Sequence, residues 1–285
     1  MQRIDRAPAL PPRPRSGHKG LFGRVLVVGG HDAMIGAPVL TGTAALRMGS
    51  GLVQIAVPRS ILPFALSITP ELIGLGLGKS AGKDLLEAAD QADAIVIGPG
   101  MGQTPEARSR LMALARLPGK PAVVDADALN LLAKEKKWPV WFKARGVLTP
   151  HPGEMKRLGK LLGVNDVPKD DEGRSGLAAS AARSFGQIIV LKGDRTVVTD
   201  GTRVYLNDTG NSALSKAGAG DVLSGMIASL IGQGMDPFDA AIAGVRLHGL
   251  AGEVAGEQYG LRSPLAREII DAIPEAIALY EKREL

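Results

Sequence analysis

The chain has 285 residues, of which 45% are hydrophobic, so it can bury a sizeable core and is not a disordered protein. It contains no cysteine and only four histidines, which excludes disulfides, thiolate nucleophiles and cysteine-ligated metal sites. The formal net charge is +5, but five basic residues and one acid within residues 1–20 account for +4 of it, so the nearly neutral body is not expected to bind nucleic acid.

Residues 1–19 are rich in proline and arginine and contain no aromatic residue. That composition is typical of a flexible arm rather than of a binding surface. The arm lacks the apolar segment of a signal peptide, and no stretch of the sequence approaches the ~18 consecutive apolar residues that span a bilayer. We therefore expect a cytoplasmic protein with a flexible arm over residues 1–19 and a single domain over residues 20–285.

From Gly20 onward, short β-branched runs alternate with longer helical patterns. Strands are predicted over residues 24–28, 52–57, 94–97, 122–124, 147–149 and 188–191, and helices over 37–48, 105–116, from about 153, and over 172–185. This alternation predicts βαβ units, and hence an α/β fold with a central, mostly parallel sheet flanked by helices on both faces.

The final third of the chain changes character. Residues 196–200 and 203–207 flank Gly201 and predict a hairpin of antiparallel strands at one edge of the sheet. Residues 221–230 place their apolar side chains on one face, which predicts an amphipathic helix. Two further helices are expected to close the chain.

The most informative segment is the glycine-rich run 211–225, in which Gly218 and Gly220 precede Asp221 at the start of a predicted helix. Such glycines let backbone N–H groups converge on an anion at the positive end of the helix dipole, which makes a phosphate site. A carboxylate there can accept the proton of a hydroxyl that attacks the phosphoryl group. Asp221 is thus the candidate base of a phosphoryl transfer, although Asp is also favoured at ordinary helix starts.

Three further turns follow predicted strands. Residues 98–102 contain three glycines and follow a predicted strand. Open α/β sheets bind ligands at such strand ends, although a plain strand-to-helix turn has the same pattern. Asp125 and Asp127 leave the next strand and either hold Mg²⁺ through water or cap a helix, capping being preferred for Asp127. His151 stands between two prolines, which indicates either a positioned side chain or a rigid turn.

Residues 74–82 contain two apparent motifs. Residues 74–80 resemble a phosphate loop, but three residues separate Gly74 and Gly78 where that loop needs four. Residues 78–82 match the G-x-S-x-G pattern of serine hydrolases. A hydrolase would leave the glycine-rich approach to Asp221 without a purpose, so we set that interpretation aside.

Taken together, the motifs resemble the ADP-dependent NAD(P)H-hydrate dehydratases of the ribokinase-like superfamily. The matching segments, from about Gly20 to His248, are residues 27–30, 36–40, 44–52, GPGMG at 98–102, DADALN at 125–130, LTPHPGE at 148–154, LKG at 191–193 and GAGD at 218–221. The resemblance implies a ribokinase-like single domain in which ADP drives dehydration of the (6S)-hydrate of NADH or NADPH, giving AMP and phosphate.

The resemblance also implies site residues. The expected contacts to the hydrate are Ala37, Gly102, His151 and Asp221. The expected contacts to the adenine nucleotide are Lys192, Gly193, Asp194, Arg195, Thr196, Gly218 and Gly220. Mg²⁺ is expected to arrive with the nucleotide rather than at a metal site built by the protein, and a homotetramer is expected.

The sequence departs from the family pattern at two positions. Ala219 stands where the family often has Thr, and Ile35 where an aromatic residue is common. The first change removes a possible hydroxyl contact to phosphate and the second a possible surface for the substrate. Many bacterial relatives also carry an N-terminal epimerase domain, for which residues 1–19 are too short, so a separate NAD(P)H-hydrate epimerase is the expected pathway partner.

Two other functions stay open. A vitamin-precursor kinase of the same superfamily would share the GxGD motif but release a stable phosphate ester. A non-catalytic nucleotide sensor would not need Asp221, because phosphate binding gains nothing from an adjacent negative charge. In the dehydratase, phosphorylation of the ring hydroxyl would create a leaving group that the ring nitrogen can expel.

Overall fold

The structure is a computed structural model and describes residues 1–78 and 82–284. Its strands are β1 (Gln2–Ile4), β2 (Arg24–Val28), β3 (Leu52–Pro58), β4 (Ile73–Leu77), β5 (Ala94–Ile97), β6 (Pro121–Val124), β7 (Arg145–Leu148), β8 (Ile188–Leu191), β9 (Val197–Thr199) and β10 (Arg203–Leu206). They form one sheet in the order β1-β10-β9-β8-β7-β6-β5-β2-β3-β4. Neighbours from β8 to β4 are parallel, whereas β9 is antiparallel to both β8 and β10. The predicted mostly parallel sheet is confirmed.

Helices cover both faces of this sheet. They are α1 (Gly36–Arg47), α2 (Leu62–Ile68), α3 (Lys83–Gln91), α4 (Pro105–Ala115), α5 (Asp127–Ala133), α6 (Trp138–Trp141), α7 (Pro152–Gly159), α8 (Asp171–Phe185), α9 (Ala219–Gly232), α10 (Pro237–Tyr259), α11 (Ala266–Asp271) and α12 (Ile273–Glu284). Three helices therefore follow α9 in the described chain, where two were predicted. In the part of the chain that the structure describes, no helix combines the length and apolarity needed to cross a bilayer.

Alternate residues of the central strands enter different cores. In β2, Val25 and Val27 lie in one core and Leu26 and Val28 in the other, because successive side chains of a strand point to opposite faces. Helices α1, α9 and α10 cover the first core, and α4, α5 and α8 cover the second. Burial on both faces explains why these strands are continuous apolar runs in the sequence.

The N-terminal segment is part of the fold, which corrects the prediction of a flexible arm over residues 1–19. β1 pairs in parallel with β10 and occupies the sheet edge that β10 would otherwise leave open. Ala7 is buried, the Tyr280 hydroxyl donates to the Pro8 carbonyl at 2.5 Å, and Arg13 donates to the Gly49 carbonyl at 2.9 Å. Composition alone suggested a free tail because it does not reveal backbone pairing.

The predicted hairpin is confirmed as β9 and β10, but β1 rather than β10 forms the edge of the sheet. Strand β4 was not predicted, because its two glycines resembled a loop. A Cβ at Gly74 would lie 2.7 Å from the Leu62 side chain, so glycine lets α2 pack closely against this strand. Residues 79–81, which complete the apparent phosphate loop and the G-x-S-x-G pattern, lie outside the described residues.

Candidate active site

The predicted strand-end turns lie together at the carboxyl ends of the central strands. The glycine turn at 98–102 follows β5, Asp125 follows β6, His151 follows β7 and Lys192 follows β8. Because these strands are parallel neighbours, their carboxyl ends lie side by side. The N-terminus of α9, with Asp221 in its first turn, completes the group.

Asp125 is the buried centre of this group and is only 2% exposed. Its Oδ1 accepts hydrogen bonds from the Lys192 ammonium and the Ala126 N–H, both at 2.8 Å, and its Oδ2 accepts from the Ser224 hydroxyl at 2.7 Å. Burial opposes the charged amine, but the carboxylates of Asp125, Glu154 and Asp221 outweigh it and raise the pKa of Lys192. Asp125 thus ties β8 and α9 to the end of β6 instead of capping a helix.

Asp127 does not cap α5 either, which corrects the preferred interpretation of this residue. The N-cap position is Ala126, whose φ of 51° is in the left-handed region, and no side chain caps this helix. The Asp127 carboxylate instead accepts from the Gly102 N–H at 2.9 Å and from the Gln103 amide at 3.3 Å. Asp127 therefore holds the glycine turn after β5 in place.

Asp221 lies half-buried in the first turn of α9. Gly218 is the N-cap with φ 91°, a conformation that favours glycine, so the predicted glycine-to-helix transition is confirmed. Burial and the negative charge of Asp125 raise the pKa of Asp221 to about 7, with Lys192 opposing. A carboxylate with this pKa can hold or accept a proton near neutral pH, which suits a general base.

His151 is both a positioned side chain and part of a rigid turn. It is the N-cap of α7, where its Nδ1 accepts from the Gly153 N–H at 3.0 Å and Glu154 accepts from the His151 N–H at 2.9 Å. Burial, with the positive charges of Lys192 and Arg157, lowers the pKa of His151. The ring is therefore neutral near pH 7. Its Nδ1 is the acceptor, so its Nε2 carries the proton and lies 3.3 Å from a Glu154 oxygen.

Glu154 is a functional candidate that the sequence analysis did not single out. Its side chain is 6% exposed, and burial raises its pKa to about 7. The signal was present in the sequence, because a Glu three residues after an N-cap residue can accept a hydrogen bond from its backbone N–H and so form a capping box. What the pattern could not reveal is that this carboxylate faces Lys192 and Asp125.

Two cavities meet at this group of residues. The first, of about 380 Å³, is called here the nucleotide cavity. Five of the expected nucleotide contacts line it, namely Lys192, Gly193, Asp194, Thr196 and Gly220. Arg195 does not line it and instead pairs with Asp171 at 2.8 Å. His248 also lines this cavity, and its buried Nε2 has no hydrogen-bond partner among the described residues.

The second cavity, of about 450 Å³, is called here the substrate cavity. His151, Gly218 and Asp221 line it, and it shares Lys192, Leu214, Ala219 and Gly220 with the nucleotide cavity. Gly102 lies beside the substrate cavity, and its N–H donates to Asp127, which lines that cavity. Ala37 is buried and packs behind Gly100, which lines the cavity. A Cβ atom at Gly100 would lie 3.0 Å from the Cβ of Ala37. Asp221 therefore stands where the two cavities join.

Comparisons with known proteins agree with this arrangement. The family model described as NAD(P)H-hydrate dehydratase matches residues 25–275. The bifunctional NAD(P)H-hydrate repair enzyme of Moorella thermoacetica is 43% identical over 283 residues, covering 96% of this chain and 52% of that protein. The ADP-dependent (S)-NAD(P)H-hydrate dehydratase of Neisseria meningitidis serogroup B is 39% identical over 267 residues, covering 91% of this chain and 86% of that protein.

A solved structure has the same fold. The ADP/ATP-dependent NAD(P)H-hydrate dehydratase from Bacillus subtilis, co-crystallized with ATP and Mg²⁺, matches with a TM-score of 0.80 and 31% identity, over 95% of this chain and 94% of that one. The fold is ribokinase-like. The chain spans about half the length of the curated bifunctional relatives that it matches. On the extent of the family match, the chain belongs to the NAD(P)H-hydrate dehydratase family.

Proposed function

We propose that this chain uses ADP to dehydrate the (6S)-hydrate of NADH or NADPH, giving NAD(P)H, AMP and phosphate. The observation that carries the proposal is the position of Asp221, a carboxylate with a pKa of about 7 where the two cavities join. A phosphate donor in one cavity and a hydroxyl group in the other would meet beside it. The names of the relatives support the same chemistry.

In the proposed reaction, Asp221 takes the proton of the ring hydroxyl while that oxygen attacks the terminal phosphorus of ADP. The new O–P bond forms as the bond to AMP breaks. The ring nitrogen then donates its lone pair as phosphate leaves the ring carbon. Loss of a proton from the neighbouring carbon to solvent restores the ring double bond. No covalent enzyme intermediate is required.

Charge that develops on the phosphoryl group needs stabilisation. The backbone N–H groups of residues 218–220 lie at the positive end of α9. The Lys192 ammonium lies close to Gly220, because a Cβ atom at Gly220 would be 3.2 Å from the ammonium nitrogen. Lys192 is held in place by Asp125 rather than by the substrate. This preorganised charge is the contribution that we assign to Lys192.

Mg²⁺ fits the site as an ion that accompanies the nucleotide. Among the described residues, no group of three or more His, Asp or Glu side chains is arranged to hold a metal. The Asp125 oxygens already accept three hydrogen bonds, which leaves nucleotide phosphates as the main oxygen ligands. When bound, the ion would neutralise phosphate charge.

The remaining expectations are part of the proposal. We infer a cytoplasmic homotetramer that works beside a NAD(P)H-hydrate epimerase, with residues 20–285 as the dehydratase domain. The family resemblance supports these points. Size-exclusion chromatography coupled to light scattering measures the oligomeric state directly.

One experiment tests the activity. The protein is incubated with ADP, Mg²⁺ and (6S)-hydrated NADH, while absorbance of the reduced nicotinamide and release of phosphate are followed together. We expect AMP, phosphate and NADH in equal amounts, because the phosphorylated hydrate collapses faster than it diffuses away. A stable phosphate ester without recovery of NADH would contradict the dehydratase function and support the kinase.

A further inference from the structure

A basic groove adjoins the substrate cavity and takes no part in the chemistry described above. It has a volume of about 400 Å³ and is lined by Gln103, Asn130, Ala133, Lys134, Arg157 and Lys160. Three of these residues are cations and none is an acid. Asn130 lines both the groove and the substrate cavity, so the two spaces adjoin at this residue.

Helix α7 connects the groove to the substrate cavity. His151 is the N-cap of this helix, and Arg157 lies further along it. The Arg157 guanidinium donates to the Asn130 side-chain oxygen at 2.8 Å, which fixes it at the boundary between the two spaces. A ligand that contacts His151 therefore lies within one helix length of Arg157.

A second connection runs through the glycine turn after β5. The Lys134 ammonium donates to the Gln103 side-chain oxygen at 2.6 Å, and the Gln103 amide donates to Asp127 at 3.3 Å. Asp127 in turn accepts from the Gly102 N–H at 2.9 Å. The far wall of the groove is thus hydrogen-bonded to the turn that borders the substrate cavity.

Among the described residues, the cations of the groove form no ion pairs, although the positive charge of Arg157 acts to lower the pKa of Glu154. Nearby cations are paired, since Lys156 binds Asp166 at 2.8 Å and Arg108 binds Glu135 at 2.6 Å. Within residues 1–78 and 82–284, Lys134, Arg157 and Lys160 form no ion pair with a carboxylate. Three unpaired cations around one concave space suit a phosphate group, which provides several charged acceptor oxygens.

We propose that this groove binds a phosphate of the dinucleotide substrate while the nicotinamide end occupies the substrate cavity. This inference rests on the proposed function. The dinucleotide offers two sources of phosphate, the pyrophosphate common to both hydrates and the 2′-phosphate of the NADPH hydrate alone. Both are anions linked to the nicotinamide end, and the groove is a cationic space that adjoins the substrate cavity at Asn130.

The test replaces the cations with neutral side chains that can still donate hydrogen bonds to Asn130 and Gln103. Lys134→Gln/Lys160→Gln and Arg157→Gln are compared with Lys136→Gln, an exposed lysine two residues from Lys134 that lines neither cavity nor the groove. We expect KM for a dinucleotide hydrate to rise by roughly tenfold or more, because charge-assisted hydrogen bonds to phosphate are lost. The kcat and the KM for ADP are expected to stay unchanged, as are all constants of Lys136→Gln.

Comparison of the NADH hydrate with the NADPH hydrate shows which of the two phosphates the groove binds. A rise in KM for both hydrates supports binding of the pyrophosphate, and a rise for the NADPH hydrate alone supports binding of the 2′-phosphate. Unchanged KM for both hydrates, or a rise in KM for ADP instead, would overturn the proposal.

Calorimetric titration with NADPH gives a readout that does not need turnover. If the wild-type protein failed to dehydrate the hydrate, the proposed function would fail. Weaker NADPH binding by the groove variants, with normal binding by Lys136→Gln, would still support the groove. Equal NADPH binding by all these proteins would overturn it.

Discussion

The two cavities that meet at Gly220 have walls of different chemistry. The nucleotide cavity is lined largely by hydroxyl, amide and glycine groups, among them Thr196, Asn207, Thr209, Asn211 and Ser212. The nucleotide cavity has only one carboxylate, Asp194, and one histidine, His248, among its lining residues. The substrate cavity is richer in titratable side chains, which include Asp125, Asp127, His151, Glu154 and Asp221. Lys192 belongs to both walls.

This difference indicates that the nucleotide cavity serves mainly to bind a ligand, whereas the substrate cavity also serves proton transfer. Neutral polar groups can position a nucleotide without changing their own protonation state. In the substrate cavity, burial and the negative charge of Asp125 raise the pKa of both Asp221 and Glu154 to about 7. We therefore expect substitutions in the substrate cavity to change the rate or the binding of the dinucleotide, and those in the nucleotide cavity to change the affinity for ADP.

The largest effect is expected from Asp221→Asn. The amide keeps the shape of the side chain but cannot take a proton, so kcat should fall by roughly 10²–10⁴-fold. Affinity for ADP, measured by calorimetry, should stay nearly intact because Asp221 lines the substrate cavity. Near-wild-type turnover would show that another group is the base.

Lys192→Met tests the residue that the two cavities share. It leaves the buried carboxylate of Asp125 without its cationic partner, which should lower the free energy of unfolding by about 3 kcal/mol. Chemical denaturation measures this change, with the exposed Lys169→Met as the control. Equal stability of the two variants would mean that the ion pair contributes little to the fold.

The pH dependence of turnover follows from the pKa of Asp221. A general base must be deprotonated, so kcat should fall about tenfold for each pH unit below about 7. The negative charge of Glu154 helps to raise this pKa. Glu154→Gln should therefore keep the acidic limb of the profile but move it to lower pH. Disappearance of the limb in Glu154→Gln would assign the base to Glu154 instead.

His151→Ala should chiefly weaken binding of the dinucleotide. His151 lines the substrate cavity, so removal of its ring takes away a contact to the dinucleotide, and KM for the hydrate should rise by about tenfold. Binding of ADP should barely change. Loss of ADP affinity with normal dinucleotide affinity in isothermal titration would place this turn in the nucleotide site.

The smallest effect is expected from Thr196→Ala in the nucleotide cavity. The Thr196 hydroxyl donates to the Gly193 carbonyl at 3.1 Å, and its loss should loosen the turn after β8. We expect KM for ADP to rise by roughly fivefold while KM for the hydrate stays constant. A rise in KM for the hydrate with unchanged KM for ADP would contradict the assignment of the two cavities to different ligands.

Much of the fold and of the candidate site could be predicted from the sequence. Alternating strand and helix patterns predicted the parallel sheet because each element has a local period, and strands buried on both faces are continuous apolar runs. The turns at 98–102, His151 and Lys192 follow strands, and parallel neighbours bring their carboxyl ends together. The glycines before Asp221 indicated the start of α9 for a local reason, the left-handed backbone at Gly218.

The partners of these residues depended on the tertiary structure. Asp125 binds Lys192, 67 residues away, and Ser224, 99 residues away, so no local pattern reveals that it stabilises the site instead of capping a helix. The flexible arm proved to include a strand because β10, distant in sequence, offers an unpaired edge.

The sequence by itself therefore determined most of the central strands and helices, the order of the strand-end turns and the family. Only the tertiary structure decided which carboxylates share a buried space. The free energy of charging Asp221 depends on burial and on the distances to Asp125 and Lys192, and those are properties of the folded chain.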